Sequence, residues 1–267
     1  MQQSFNDATE NVRHQPPPPP LPPPPAADAW HESLAMALHD LGGALSVVHG
    51  TVQLWRLGTR AHASPADDWA SVQSASGRAV RLSRELLDLC RLGHSQFRLD
   101  RRSVELVALV AALVDRRRPA FEAAGQRLGA EVPDGGLWVA ADRDLLERAV
   151  DNLLDNAAKY TRAGGHVTVG VGRCDGDAIV RVRDTGVGIP AEFLPRVFEP
   201  FAREDRRAVR EHPGSGVGLL AVRRIVELHG GRVEASSPGP GLGSEFALRL
   251  PVASVDPALA RRASCSA

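Results

Sequence analysis

The chain has 267 residues, of which 43% are hydrophobic, so it can bury the core of one medium domain and a smaller one. Its 32 basic and 32 acidic side chains cancel, and this balance gives no reason to expect nucleic acid or an anionic membrane as a partner. Three scattered cysteines argue against a disulfide framework or a zinc site, and no apolar run reaches the roughly 18 residues of a membrane span, so we expect a cytoplasmic protein.

Residues 1–28 form a polar and then proline-rich arm. Its two proline runs, 16–20 and 22–25, favour an extended polyproline II conformation, and we expect the arm to be disordered. It serves either as a tether or as a segment that docks into an aromatic-lined groove. The tail, residues 252–267, is expected to be flexible as well.

Residues 29–96 are predicted to form a helical hairpin. In the first half, apolar residues recur at alternating spacings of four and three, which is a heptad pattern. A turn around Ser64 and Pro65 separates this stripe from a second one. A single hairpin buries neither stripe well, so we expect two copies to pack as a four-helix bundle, which predicts a homodimer. The first stripe consists of Leu34, Leu38, Leu41, Leu45, Val48, Val52 and Trp55, and the second of Val72, Ala75, Ala79, Leu82, Leu86 and Leu89.

One histidine on the first helix of this hairpin is a candidate nucleophile. His39 directly follows the stripe residue Leu38, so it is expected on the flank of the helix, where its imidazole reaches solvent. Alone, such a histidine is an ordinary surface residue. Its neighbour Asp40 changes this interpretation, because a carboxylate beside an imidazole can hold one ring nitrogen protonated while the other attacks an electrophile.

Polar residues share one face of a predicted helix over residues 144–160. Asn152, Asn156 and Lys159 stand at i, i+4 and i+7, which places their side chains in one row. Lys159 is the only lysine among 32 basic residues, which hints at a specific role for its ammonium group. The row is suited to hold a nucleotide.

Two glycine-rich segments follow this helix. A predicted strand over 178–183 ends at Asp184, whose carboxylate can accept a hydrogen bond from an exocyclic amine such as that of adenine. Gly186 and Gly188 leave no side chain between the backbone and a ligand there. The second segment, 214–218, opens a predicted helix, so its backbone N–H groups and the positive helix end can bind phosphates. A last strand over 244–250 closes the predicted sheet.

Together these segments resemble the motifs of the sensor histidine kinases of two-component systems, over residues 29–251. ALHDLGGALSVVHG is similar to the phosphoacceptor box, DNLLDNAAKYT to the N box and DTGVGIP to the first glycine box. VFEPFAR is similar to the phenylalanine box and GSGVGL to the second glycine box. The resemblance implies an α+β fold: a hairpin (29–96) that forms a dimeric four-helix bundle, then an α/β-sandwich ATP-binding domain (97–251) with a mixed sheet and helices on one face.

The resemblance also implies roles for the residues that match the motifs. His39 would receive the γ-phosphoryl group of ATP, with Asp40 as its acidic neighbour and base. Asn156 would ligate Mg²⁺, and Asn152 and Lys159 would contact the metal-triphosphate. Tyr160 would line the nucleotide pocket, and Asp184 would read adenine, with Gly186 and Gly188 shaping that side of the pocket. Arg203 would reach the phosphates from a mobile lid over 198–213. Gly214, Gly216 and Gly218 would hinge that lid, and Phe198 and Phe201 would anchor it.

The implied activity is autophosphorylation of His39 from Mg-ATP and transfer of the phosphoryl group to an aspartate of a response regulator. The signal would enter through a separate sensor protein or through the first 28 residues. Whether phosphorylation runs within one subunit or across the dimer stays open. So does phosphatase activity, because Gly43 stands where the family often has a threonine or asparagine that positions water. Ser244, where threonine is usual, is a separate and mild departure from the family pattern.

Three alternatives share parts of this pattern. Gyrase-like and chaperone ATPases have a similar nucleotide fold but place a water-activating glutamate where this chain has Asn152, and an amide cannot act as that base. Serine kinases of the anti-sigma type lack the phosphoacceptor hairpin. An ATP-binding scaffold or adaptor without kinase activity would keep the fold and use the hairpin and proline arm for assembly.

Overall fold

The computed structural model describes residues 27–56, 69, 71–77, 79–80, 83, 98–199, 202 and 217–252, and within the first helix it describes the side chains of Leu38 and of residues 41–54. That helix, α1 (Ala27–Arg56), covers the first half of the predicted hairpin. The described positions between 69 and 83 are also helical. No helix in this described part of the chain has the length and apolarity of a membrane span.

Apolar residues in the predicted hairpin fall into two groups that differ in solvent exposure. The stripe residues Leu38 and Leu45 are each 53% exposed and Val52 is 39% exposed. In contrast, small residues are buried, among them Ala44 on α1 and Ala75 in the second half. These three stripe side chains are therefore only partly covered within one copy of the chain, and the homodimer stays a prediction.

The remaining described residues form a two-layer α/β domain. Its helices are α2 (Leu106–Ala123), α3 (Arg143–Tyr160) and α4 (Gly218–Leu228), with a 3₁₀ turn at Leu194–Arg196. Its strands are β1 (Arg102–Glu105), β2 (Arg127–Glu131), β3 (Trp138–Ala141), β4 (His166–Cys174), β5 (Asp177–Asp184), β6 (Arg232–Ser236) and β7 (Ser244–Pro251).

Five of these strands form a mixed sheet in the order β2-β4-β5-β7-β6. The β2–β4 pair is parallel and the other neighbours are antiparallel, while β1 and β3 form a separate two-stranded antiparallel ribbon. Helix α3 contacts both α2 and α4, and the three helices lie on one face of the sheet. This confirms the predicted α+β fold with a mixed sheet and helices on one face.

Alternation along the central strands determines which side chains reach the helices. On β4, Val167, Val169 and Val171 are buried, and the residues between them are more exposed, as expected of a strand with one covered face. On β5 the inward row is Ala178, Val180, Val182 and finally Asp184. A carboxylate thus ends an apolar row and points toward the helical layer.

Carboxylate N-caps begin the first two helices of this domain. Glu105 accepts hydrogen bonds from the backbone N–H groups of Val107 (3.2 Å) and Ala108 (2.5 Å). Asp142 accepts one from Leu145 N–H (3.3 Å). Such caps accept hydrogen bonds from backbone N–H groups that the start of a helix leaves without partners. Their negative charge also interacts favourably with the positive end of the helix dipole. They set the register in which α3 presents its polar row.

Candidate nucleotide-binding site

The polar row of α3 lies at the edge of the helical layer. Asn152, Asn156 and Lys159 are all partly exposed, while Leu153 and Leu154 on the other faces are buried. The Asn152 amide N–H₂ lies 3.5 Å from the carbonyl oxygen of Gly218, the first residue of α4. The row predicted from the sequence is thus present on one helix face, and it begins next to the start of α4.

At the other end of the row, an ammonium group stacks on an aromatic ring. The Lys159 Nζ atom lies 4.6 Å from the centroid of the Tyr160 ring, within range of a cation–π interaction. Both residues belong to the last turn of α3. The first glycine segment meets the same end of α3, since Val187 N–H donates a hydrogen bond to the Tyr160 carbonyl (3.1 Å).

Asp184 is buried and both of its carboxylate oxygens are engaged. Oδ1 accepts a hydrogen bond from Gly186 N–H (2.8 Å), and Oδ2 accepts one from the Ser244 hydroxyl (2.5 Å). Asp184 and Ser244 are register partners on the antiparallel strands β5 and β7. A carboxylate has about four acceptor positions, so these two bonds orient the group and leave capacity for a further donor.

Gly186 and Gly188 are required by backbone packing. A Cβ atom at Gly186 would lie 2.3 Å from the Tyr160 carbonyl oxygen, and one at Gly188 would lie 2.1 Å from the Gly239 carbonyl oxygen. Gly188 also has φ +63°, a region that favours glycine. The absence of side chains therefore lets this segment fit between the end of α3 and the 237–243 loop.

The 237–243 loop holds the first glycine segment in place, and sequence reasoning missed it. Ser237 Oγ accepts a hydrogen bond from Ile189 N–H (2.9 Å) and donates one to the Gly243 carbonyl (2.6 Å). The Gly241 N–H donates to the Val187 carbonyl over 2.7 Å. The run of serine, proline and glycine in the sequence indicates only a turn there, not its partner.

The start of α4 offers a helix N-terminus. Its N-cap residue is Val217, whose side chain has no acceptor for the first backbone N–H groups. A helix N-terminus favours a phosphate because its N–H groups and dipole both face the ligand. Before it in the chain, Phe198 is buried and packs edge-to-face on Phe246, with 6.1 Å between ring centroids.

For several predicted site residues, the whole residue or its side chain lies outside the part of the chain that the structure describes. Arg203, Phe201, Gly214 and Gly216 are outside the described residues. His39 and Asp40 belong to α1, but their side chains are not among those described. Their roles remain predictions.

A buried histidine joins α3 and α4, the two helices that flank the candidate site. His229, at the end of α4, accepts a hydrogen bond at Nε2 from Asp142 N–H (2.9 Å) and donates one from Nδ1 to the Ile225 carbonyl (2.7 Å). Accepting at Nε2 requires the neutral ring. Burial lowers the pKa of His229 below its ordinary 6.5, opposed by the bond to Ile225. The N-terminus of α3 is thereby tied to the C-terminus of α4.

An acidic row lies beside the polar row of α3. Glu147, Asp151 and Asp155 contact arginines of α2. Partial burial raises the pKa of the Asp151 carboxyl, and the charge of Arg117 opposes this rise. No cluster of three or more histidine, cysteine, aspartate or glutamate residues that suits a metal ion occurs among the described residues.

Comparison with known proteins places this geometry in a family. Residues 141–254 match the family model described as histidine kinase-, DNA gyrase B- and HSP90-like ATPase. The alginate biosynthesis sensor protein KinB of Pseudomonas aeruginosa is 34% identical over 197 residues, covering 74% of this chain and 32% of KinB. The chain spans about a third of the length of the curated relatives that it matches.

Solved structures show the same likeness. The mycobacterial sensor histidine kinase MprB is 31% identical with a TM-score of 0.50, and the match covers 57% of this chain and 98% of that one. The histidine kinase ThkA, solved in complex with the response regulator protein TrrA, gives a TM-score of 0.67 over 83% of this chain and 61% of that one. At 19% identity, the likeness to ThkA is one of fold.

Proposed function

This chain belongs to the sensor histidine kinase family, and from that premise we propose that it is an ATP-dependent protein-histidine kinase. In this proposal it phosphorylates its own His39 and passes the phosphoryl group to an aspartate of a separate response regulator. Membership of the family by itself implies a histidine kinase fold with an ATP-binding domain.

The observation that carries the proposal is that the polar row runs between the start of α4 and the first glycine segment. At Asn152, α3 contacts Gly218 at the start of α4; at Tyr160, it contacts the glycine segment that follows Asp184. Eight residues of helix separate these points, which is about 12 Å at 1.5 Å per residue. An extended nucleotide fits this span, with its base at Asp184 and its phosphates along the polar row from Lys159 toward Gly218.

The oriented carboxylate of Asp184 supports adenine recognition. Its two oxygens are held by Gly186 and Ser244, so accepting a bond from the exocyclic amine of adenine costs little further ordering. The stacked ammonium of Lys159 supports contact with the phosphates. The partly exposed amides of Asn156 and Asn152 continue the row from Lys159 toward Gly218.

The donor set fits Mg²⁺ held mainly by the nucleotide. Magnesium prefers oxygen ligands and binds through one or two protein groups together with substrate phosphates and water, not through an all-protein cage. The amide oxygen of Asn156 supplies such a single ligand, and Asn152 stands one turn away. When bound, the ion neutralises charge on the phosphoryl group being transferred.

The chemistry assigned to the hairpin is nucleophilic. One ring nitrogen of His39 forms a bond to the γ-phosphorus of ATP while the bond to the β,γ-bridging oxygen breaks and ADP leaves. Asp40 holds the proton on the other ring nitrogen, which keeps the attacking nitrogen unprotonated, and it accepts that proton as the bond to phosphorus forms. Asn152 has no basic group with which to activate water, which favours transfer to histidine over hydrolysis.

The assembly in this proposal is a homodimer. The exposed stripe residues Leu38, Leu45 and Val52 give a second copy an apolar face to cover. The partner in phosphotransfer is the receiver domain of a response regulator, as the complex of the fold neighbour ThkA with TrrA suggests. A separate sensor protein or the proline-rich arm provides the signal.

The test is incubation of the full chain with γ-labelled ATP and Mg²⁺, followed by acid and alkali treatment of the labelled protein. We expect an acid-labile, alkali-stable label that is absent in His39→Ala, although this variant still binds nucleotide. His49→Ala is the matched control, since His49 is an exposed histidine on the same helix. A label that persists in His39→Ala would overturn the assignment.

A further inference from the structure

The acidic row of α3 runs directly beside the residues assigned to the nucleotide. Asp151 immediately precedes Asn152, and Asp155 immediately precedes Asn156. Consecutive helix residues are about 100° apart around the axis, so the acidic row lies on the flank of the helix next to the polar face and not on that face itself. Carboxylates therefore accompany each amide of the proposed metal-triphosphate site, and their charge repels a triphosphate unless it is neutralised.

Helix α2 supplies the compensating charge. The Arg116 guanidinium pairs with Glu147 (2.6 Å), while Arg117 pairs through Nε with Asp151 (3.5 Å) and through Nη2 with Asp155. Arg117 thus contacts two members of the acidic row, the two that adjoin the amides. Asp151 Oδ1 and Arg117 Nε are both buried, and their only described pairing is with each other at ion-pair distance.

Arg117 differs from the next arginine along α2. Its side chain is 25% exposed, and it reaches across to another helix. Arg118 is 47% exposed and pairs with Asp115 of its own helix at 3.0 Å. Charged pairs that are partly withdrawn from water are screened less by salt than fully exposed ones. Of these two neighbouring arginines, Arg117 is therefore the one whose contact can act on α3.

We propose that Arg117 is a positioning residue of the nucleotide site: it holds the acidic row of α3 toward α2 and neutralises it, so that the adjoining amide row accepts a triphosphate. This inference rests on the proposed function, because it takes Asn152 and Asn156 as nucleotide ligands. Arg117 acts through Asp151 and Asp155 and touches no reacting atom.

The experiment measures binding of a non-hydrolysable ATP analogue, of ADP and of adenosine to the full chain by titration calorimetry. In Arg117→Ala we expect the dissociation constant of the triphosphate analogue to rise about three- to tenfold, with a smaller rise for ADP and none for adenosine. The loss should grow with ligand charge because two carboxylates are left unpaired. It should also shrink at high salt, since salt screens charges that are about 8 Å or more apart at physiological ionic strength.

Matched variants separate this effect from a loss of folding. Arg118→Ala should leave all three dissociation constants unchanged, and Arg117→Lys should keep most of the triphosphate affinity. Combining Arg117→Ala with Asp151→Asn and Asp155→Asn should restore affinity, because the charge that needs neutralising is gone. A thermal melt of each variant identifies any that is unfolded.

Two results overturn the inference. One is an equal loss for all three ligands in folded Arg117→Ala protein, which marks a general structural role. The other is unchanged triphosphate affinity in that variant while the wild-type chain binds normally. If the wild-type chain binds no triphosphate analogue at all, it is the proposed function that fails, and the two failures are thereby distinguished.

Discussion

The Ser244 hydroxyl donates a hydrogen bond of 2.5 Å to Asp184 Oδ2 across neighbouring antiparallel strands. The two residues are 60 positions apart in the chain, yet they are direct register partners. Because Gly186 N–H engages the other oxygen, the carboxylate has a single orientation. This pair is the structural basis of the adenine specificity proposed for Asp184.

Removing the hydroxyl should weaken nucleotide binding. In Ser244→Ala, a buried carboxylate oxygen loses its donor, so we expect the free energy of unfolding to fall by about 1–3 kcal/mol and the affinity for ATP to fall with it. Ser244→Thr keeps the hydroxyl and should bind as the wild type does. Urea denaturation and nucleotide titration measure the two effects. Wild-type affinity in the alanine variant would show that Asp184 is oriented without Ser244.

A methyl group at Gly186 should disrupt the site. Its Cβ atom would lie 2.3 Å from the Tyr160 carbonyl, so the first glycine segment must shift away from α3, at a cost of about 1–3 kcal/mol. We expect Gly186→Ala to lose nucleotide binding and to unfold at lower denaturant concentration. Gly129→Ala is the control, because a Cβ atom at Gly129 meets nothing within 4 Å. Equal behaviour of the two variants would contradict the packing argument.

The buried imidazole of His229 should make stability depend on pH. Burial lowers its pKa in the folded state, whereas the unfolded chain protonates this histidine near 6.5. As the pH falls, the unfolded state therefore binds a proton before the folded state does. The stability that the neutral imidazole contributes above pH 6.5 is lost as the pH falls from 6.5 to the folded-state pKa. One such group gives a slope of up to about 1.36 kcal/mol per pH unit.

This slope is measured by urea denaturation between neutral and mildly acidic pH. His229→Gln should lose part of the pH dependence, together with some stability at neutral pH. His49→Gln should keep the full dependence, because His49 lies exposed on α1. An unchanged pH profile in His229→Gln would assign the dependence to other groups.

The exposed stripe of α1 should mediate self-association. Leu45→Glu places a charge at a 53%-exposed stripe position, and we expect sedimentation analysis to show conversion of a dimer to monomers because the charge would be buried in the bundle. Val47→Glu is the control: Val47 is also an exposed apolar residue of α1, but it lies off the stripe. A monomeric wild-type chain, or a dimer disrupted only by Val47→Glu, would contradict the predicted four-helix bundle.

In the ATP-binding domain, α3, β5 and β7 lie within one residue of the bounds predicted from the sequence, whereas no bounds were predicted for the edge strands. The 3.6-residue period predicted α3 and the row that includes Asn152 and Asn156. The edge strands β2 and β6 have five residues each, of which only one is buried, so little alternation marks them. Their place in the sheet follows from pairing with β4 and β7.

By itself, the sequence determined everything that depends on local periodicity and residue chemistry: the polar row of α3, the carboxylate at the end of β5 and the glycines after it. Tertiary structure alone decided what holds these groups. Ser244 orients Asp184, Ser237 fixes the glycine segment, and Arg117 pairs with the acidic row, each from a distant part of the chain. Such pairings depend on strand register and helix packing, and no short-range pattern in one segment specifies the segment that packs against it.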